Sequence, residues 1–235
     1  MGKRILFEEI CNFRDLGDLN TLTQRTTTTG KVFRSSMLFG PTTKDLSKIK
    51  DLKIQTIIDL RAPSELIRTP NPYQEHVPHY VSINLSGNQD KGRAAELSKT
   101  TTDPFFMSQR YQEYVKHGQA EIAKLFRFLL DDTHYPVVIH CSAGKDRTGV
   151  IVYLLLQLQG VLLEEIIADY QVSFSFIQHE PRILKEKQLL NVYQSYPEIM
   201  QRFHEAFIQT FQSIDSYFKL LDFTDEEIEQ LKRIF

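Results

Sequence analysis

Cysteine, long apolar runs and net charge are all scarce in this chain of 235 residues, and each scarcity excludes something. Two cysteines, Cys11 and Cys141, cannot build a disulfide framework, so the sequence fits a reducing compartment and leaves room for a reactive thiol. No stretch approaches the roughly 18 apolar residues that suggest a membrane span, so stable membrane insertion is not expected. The basic pair Lys3 and Arg4 is followed at once by Glu8 and Glu9, without the apolar core of a secretory signal. A cytoplasmic location is the expectation, with secretion open if a signal peptide has been removed. A formal charge of −2 exerts no general pull on nucleic acid, so no nucleic-acid partner is expected. An anionic substrate must be drawn by local positive charge. There is no internal repeat, and the longest low-complexity tract, Thr26 to Thr29, reads as a solvated turn.

An apolar fraction of 41% beside 25% charged residues is that of a globular protein, and no linker divides it. One domain over residues 1–235 is expected, with a helical extension from about 160. β-branched or apolar runs predict strands over 31–34, 54–60, 79–85 and 136–140. Helical spacing predicts a helix from Thr42 or Thr43 to Leu52, and another over 105–130 broken near His117 and Gly118. Beyond Thr148 it predicts helices over 150–159, 163–173, 181–193 and 198–221, then a last one opened by the capping box Thr224 to Glu227. Strands alternating with helices, then a helical C-terminal half, give an α/β fold with a central, mostly parallel sheet flanked by helices. The polar stretch 86–103, with Lys91 and Arg93, is the candidate for a mobile substrate-facing loop.

The chemistry concentrates in His140-Cys141-Ser142-Ala143-Gly144-Lys145-Asp146-Arg147, between an apolar strand and an apolar helix. A thiolate is a strong nucleophile, but an ordinary cysteine is mostly protonated at neutral pH, so a catalytic cysteine needs positive surroundings. The adjoining helix N-terminus, Arg147 and Lys145 are three sources. The same features suit a phosphate anion. Ser142, Ala143 and Gly144 keep bulky side chains away from the backbone N–H groups that would cradle its oxygens, and Gly144 can take a positive φ. Arg147 has the planar fork to hold two phosphoryl oxygens. In-line attack by Cys141 would give a phosphocysteine that water hydrolyses, and the leaving oxygen needs a proton. Three aspartates compete to supply it: Asp146 in the loop itself, the first choice, then Asp103 on the polar stretch and Asp59 at a strand end. An ion pair of Asp146 with Lys145 or Arg147 is the structural alternative. Thr148 is placed to donate to the sulfur or to cap the helix, and His140 to tune the thiolate or to make a structural hydrogen bond. This chemistry requires no cofactor and no metal.

The loop resembles the signature of the protein tyrosine phosphatase superfamily, Cys-x5-Arg preceded by His and followed by Ser or Thr. More narrowly it is similar to bacterial tyrosine and phosphoinositide phosphatases with Lys-Asp before the arginine. Asn12 to Gly17, Ile58 to Arg61 with Glu65, Asp169 with Tyr170, and Tyr217 with Phe218 through Glu227 agree, so the likeness spans nearly the whole chain. It implies a protein tyrosine phosphatase-like fold and hydrolysis of phosphotyrosine, with phosphoserine and phosphothreonine as further candidates for a dual specificity, and of phosphoinositides. The implied partners are a phosphorylated protein or a phosphoinositide. Lys145 would favour the charged head groups, and Asp146 would act in place of an acid on a separate loop. The chain has no tryptophan, hence no Trp-Pro-Asp acid loop.

Arg14 and Asp15 read as an internal ion pair anchoring the N-terminal arm, with lining of the site as the alternative. Asp59, Arg61 and Glu65 read as a network that ends the strand and positions the loop. Cys11 reads as a small buried residue, with a disulfide to Cys141 as the alternative. Phe203, Phe207 and Phe211, at helical spacing, read as core, or as an apolar lid near a lipid. A second functional class stays open: a catalytically weak module that binds phosphorylated ligands through the same loop.

Overall fold

A computed structural model describes residues 3–86, 101–185 and 190–235. The expected substrate-facing loop, with Lys91 and Arg93, falls mostly outside these described residues. Five strands form one sheet: β1 (Arg14–Asp15), β2 (Val32–Ser35), β3 (Thr56–Asp59), β4 (His79–Ser82) and β5 (Val137–His140), in the order β1-β2-β5-β3-β4. Only β1 runs antiparallel to its neighbour. A mostly parallel sheet is covered on both faces, which is why β5 is a continuous apolar run ending at His140. Alternation sends Val137 and Ile139 into the larger, helix-rich core with Cys141, while Val138 joins Phe33 and Ile57 in the smaller core on the other face. The register sets Ser35 and Asp59 on either side of His140, so the loop after it leaves from the middle of the sheet's C-terminal edge.

The helices are α1 (Thr43–Asp51), capped by Thr42, α2 (Pro63–Arg68), α3 (Met107–His117), α4 (Gln119–Phe128), α5 (Asp146–Leu158), α6 (Leu163–Ile177), α7 (Pro181–Lys185), α8 (Leu190–Tyr193), α9 (Pro197–Phe211), α10 (Ile214–Leu220) and α11 (Asp225–Leu231). The break at Gly118 and the capping box at Thr224 lie where the sequence puts them. No helix among the described residues is long and apolar enough to cross a membrane.

Three expectations need correction. α5 begins at Asp146 rather than at Val150, because its first turn is polar and apolar periodicity registers only the buried turns beyond it. The single helix expected over 198–221 is two: Gln212 takes φ 68°, which stops α9, and the Ser213 hydroxyl accepts from the Ser216 N–H to start α10. Of the helix expected over 181–193 both ends are helical, as α7 and α8, and 186–189 lie outside the described residues. The threonine tract is not wholly solvated, since buried Thr27 donates to the Leu16 carbonyl at 2.7 Å and accepts from the Leu19 N–H. Phe203 and Phe207 are core as expected, edge-on to Tyr153 beneath α5, with Phe211 packed half-buried against them.

Candidate active site

Cys141 comes directly after β5 and is buried. The next residues turn sharply, Gly144 at φ +68°, and reach Asp146 as the first residue of α5. Three carbonyls of this turn are held from one side. The Met37 N–H donates to the Ser142 oxygen at 3.0 Å, and the Asn12 amide to those of Ala143 and Gly144 at 3.0 and 3.1 Å. Arg34 Nη2 adds a bond to the Gly144 oxygen at 2.7 Å. In a trans peptide the N–H points opposite to the preceding carbonyl, so the N–H groups of Ala143, Gly144 and Lys145 face away from these anchors. None of the three donates to a backbone carbonyl among the described residues. With the helix N-terminus behind it, this concave row is suited to an anion.

The anchors are themselves fixed by a buried charge cluster. Arg14 and Arg34, both inaccessible to solvent, flank the buried carboxylate of Asp169 on α6, at 2.5 Å each. Arg14 also donates to Asn12 Oδ1 at 2.5 Å, to the Asp169 carbonyl and to the Ser173 hydroxyl. Burial would raise the Asp169 pKa, but the two guanidinium charges outweigh it and hold the group below the usual carboxylate range. Burial, then Arg34, bring Arg14 down to about 10. The expected ion pair of Arg14 with Asp15 is thus replaced: Asp15 accepts the N–H groups of Gly17 and Gly30 instead.

Arg147, in the first turn of α5, is gripped by both oxygens of Glu65 at 2.5 and 3.1 Å and donates to the Leu60 carbonyl at 3.3 Å. Burial opposes its charge, but Glu65 and a thiolate at Cys141 more than offset this and push its pKa up. Glu65 thus ties Arg147 to the segment after β3, and its charge also favours the charged form of Arg61. The strand-ending pair is Asp59 with Arg61, at 2.7 Å. Asp59 also accepts from Tyr80 at 2.9 Å and lies 3.3 Å from His140 Nε2. Burial raises the Asp59 pKa, yet His140 and Arg61 drive it far below the normal range. His140 Nδ1 faces the Cys141 carbonyl at 3.1 Å, an acceptor, so that nitrogen carries a proton, while Nε2 meets the Asn71 amide at 3.0 Å.

Asp103 is held by Arg202 at 3.0 Å and accepts from the Phe105 N–H. Asp146 pairs with Lys145 rather than Arg147: Oδ1 accepts from Lys145 Nζ at 2.5 Å and from the Tyr111 hydroxyl at 2.5 Å. Lys145 is fully buried, yet Asp146 and Tyr170 outweigh that burial and raise its pKa, keeping it charged. The Thr148 hydroxyl is buried with no hydrogen-bond partner among the described residues, so the expected bond to sulfur is not formed in this structure. Cys11 is half-buried against Ala143, Ile177 and Ile183, and no disulfide links it to Cys141. No group of three His, Cys, Asp or Glu among the described residues is placed to hold a metal ion.

Asn12, Arg34, Asp169 and Tyr111 thus shape the site without having been named as its candidates, while Glu65, expected to help position the loop, holds Arg147. Asn12, Glu65 and Asp169 lie in segments that carry the family likeness. Arg34 and Tyr111 give no local signal.

The chain belongs to the tyrosine phosphatase family, whose model matches residues 5–235. A tyrosine-protein phosphatase of Nostoc commune is 27% identical over 215 residues, 85% of this chain and 72% of that protein. The triple specificity protein phosphatase PtpB of Mycobacterium tuberculosis is 28% identical over 183 residues, covering 68% of this chain and 65% of its own length. The inositol diphosphatase DSP2 of Arabidopsis thaliana is 27% identical over 160 residues, 60% of this chain and 58% of that protein.

Proposed function

We propose that the chain is a single catalytic unit that hydrolyses phosphomonoesters through a phosphocysteine. Cys141 Sγ attacks phosphorus in line as the P–O bond to the leaving group breaks, and Asp146 gives the leaving oxygen its proton. Water then attacks the phosphocysteine and loses a proton to Asp146. The S–P bond breaks, and inorganic phosphate departs with the thiolate restored. Arg147, held in plane by Glu65, binds two phosphoryl oxygens, and the N–H groups of the loop from Ser142 to Lys145 take the rest of the charge. The buried Thr148 hydroxyl is available to donate to the departing sulfur. The observation that supports this reading is the tethering of the loop carbonyls to Asn12 and Arg34, which turns the following amides away from these anchors and leaves them to an anion.

The proposed substrate is phosphotyrosine in a protein, with phosphoserine, phosphothreonine and phosphoinositides as further classes. The triple specificity protein phosphatase of Mycobacterium tuberculosis supports more than one substrate class, and the inositol diphosphatase of Arabidopsis thaliana supports a phosphorylated inositol. Lys145, expected to read a charged head group, has its ammonium buried on Asp146. Its role is therefore to hold the acid. Lys145→Ala is expected to lower kcat/KM for a phosphotyrosyl peptide and for soluble phosphoinositides by a similar factor. A loss confined to the inositides would restore the head-group role.

Cys141→Ser tests the enzyme reading. Phosphate release from an aryl phosphate is expected to fall to background while calorimetry still detects inorganic phosphate binding. If the wild-type protein releases phosphate no faster than the variant, the loop is a binding module instead.

A further inference from the structure

Asp146 has a support that its place in the loop does not account for. Oδ1 accepts from both Lys145 and Tyr111, whereas Oδ2 has no hydrogen bond among the described residues. Tyr111, on α3, is fully buried, and its hydroxyl lies 2.8 Å from that of Tyr170, equally buried on α6. Asp146 itself keeps some exposure, its side chain being 20% accessible.

The direction of each hydrogen bond is dictated by the groups present. The Lys145 ammonium has no lone pair, so Oδ1 accepts from it, and an oxygen paired with an ammonium is the less basic of the two, which leaves any proton of the carboxyl on Oδ2. Tyr111 therefore donates to Oδ1. A phenol has a single proton, so toward Tyr170 the Tyr111 oxygen must accept, and Tyr170 donates. Burial first, then the Asp146 charge, push the Tyr111 pKa well above its usual value, and burial takes Tyr170 up to about 12. Both hydroxyls keep their protons at any working pH, and the order Tyr170 to Tyr111 to Asp146 stays fixed.

We propose that Tyr111, backed by Tyr170, is a positioning residue for proton transfer. With Oδ1 occupied by two donors, Oδ2 is the oxygen that carries the proton to the leaving group and later takes one from water. The two bonds also stop the carboxyl from rotating. This rests on the reading of Asp146 as acid and base, and extends it to a single oxygen and to two residues outside the loop.

The test compares kcat/KM for phenyl phosphate, whose leaving oxygen needs a proton, with that for dinitrophenyl phosphate, which departs as a stable anion. Asp146→Asn is the reference and is expected to lose roughly 10²-fold more on the first substrate than on the second. Tyr111→Phe is expected to show the same imbalance at about tenfold, and Tyr170→Phe a smaller one in the same direction. Equal losses on both substrates in Tyr111→Phe, with Asp146→Asn still discriminating, overturn the proposal and leave the role of Asp146 standing. Equal losses in Asp146→Asn remove the acid itself, and the proposal with it. Should Tyr111→Phe fail to fold, Tyr170→Phe decides by the same ratio, because it leaves the Tyr111 bond to Asp146 in place and removes only its backing donor.

Discussion

Asp169→Asn is expected to destabilise the protein by about 3–5 kcal/mol at neutral pH, because it leaves two buried guanidinium groups without a counter-charge. An amide keeps the shape and one acceptor, so the loss is electrostatic and not a cavity effect. The depressed pKa of Asp169 sets the sign of the pH dependence. A carboxylate lowered by folding contributes its full stability above its unfolded value of about 3.9, and loses it as the pH falls toward the lower folded value. Urea midpoints of the wild type and the variant should therefore differ widely at neutral pH and converge in acid. A gap that stays constant with pH would show that the carboxylate charge is not what stabilises the cluster. Activity should fall further than stability alone explains, because Arg34 and Asn12 would no longer be held against the loop carbonyls.

Gly144→Ala is expected to lower kcat/KM on the order of 10²-fold or more, through displacement of the loop. An added Cβ would lie 2.1 Å from the Ser35 carbonyl oxygen, 2.4 Å from its carbon and 2.6 Å from the Ser36 nitrogen. All three are backbone atoms at the end of β2, which is hydrogen-bonded to β5 and cannot retreat alone. The positive φ adds strain of about 1–2 kcal/mol. Gly30→Ala separates the two causes: φ there is +74° but an added Cβ meets nothing within 4 Å. That variant should lose stability and keep its kcat/KM. If Gly144→Ala binds phosphate and turns over as the wild type does, the close approach of the loop to β2 is not needed for function.

The strand into Cys141, the loop and the candidate acid were readable because they are contiguous, and each residue type has a local reason to be there. α5 shows where that reading stops. Apolar periodicity located its buried body from Val150, but the polar turn from Asp146 to Thr148 is set by the loop geometry and not by a core face. Gln212 is a similar case, since a left-handed residue that is neither glycine nor asparagine leaves no turn signature. The partners of the site were the least legible part. Glu65 meets Arg147 across 82 positions, and Tyr111 meets Asp146 across 35. Such pairings are created when sheet and helices close, so no spacing along the chain encodes them. The identity of the Arg14 partner shows this best: the adjacent Asp15 is the local answer, and the fold chooses Asp169.

That choice has a consequence for the order of assembly. Arg14 and Asp169 are 155 positions apart, and Arg34 and Asp169 are 135. During synthesis from the N-terminus, both arginines and the whole cysteine loop leave the ribosome before the one carboxylate that lets the arginines be buried. Until α6 emerges, the two guanidinium groups remain hydrated and the loop lacks the anchors that depend on them. A nascent chain arrested before residue 169 should therefore carry Cys141 on a pliable segment, accessible to thiol reagents, and become resistant once α6 can dock.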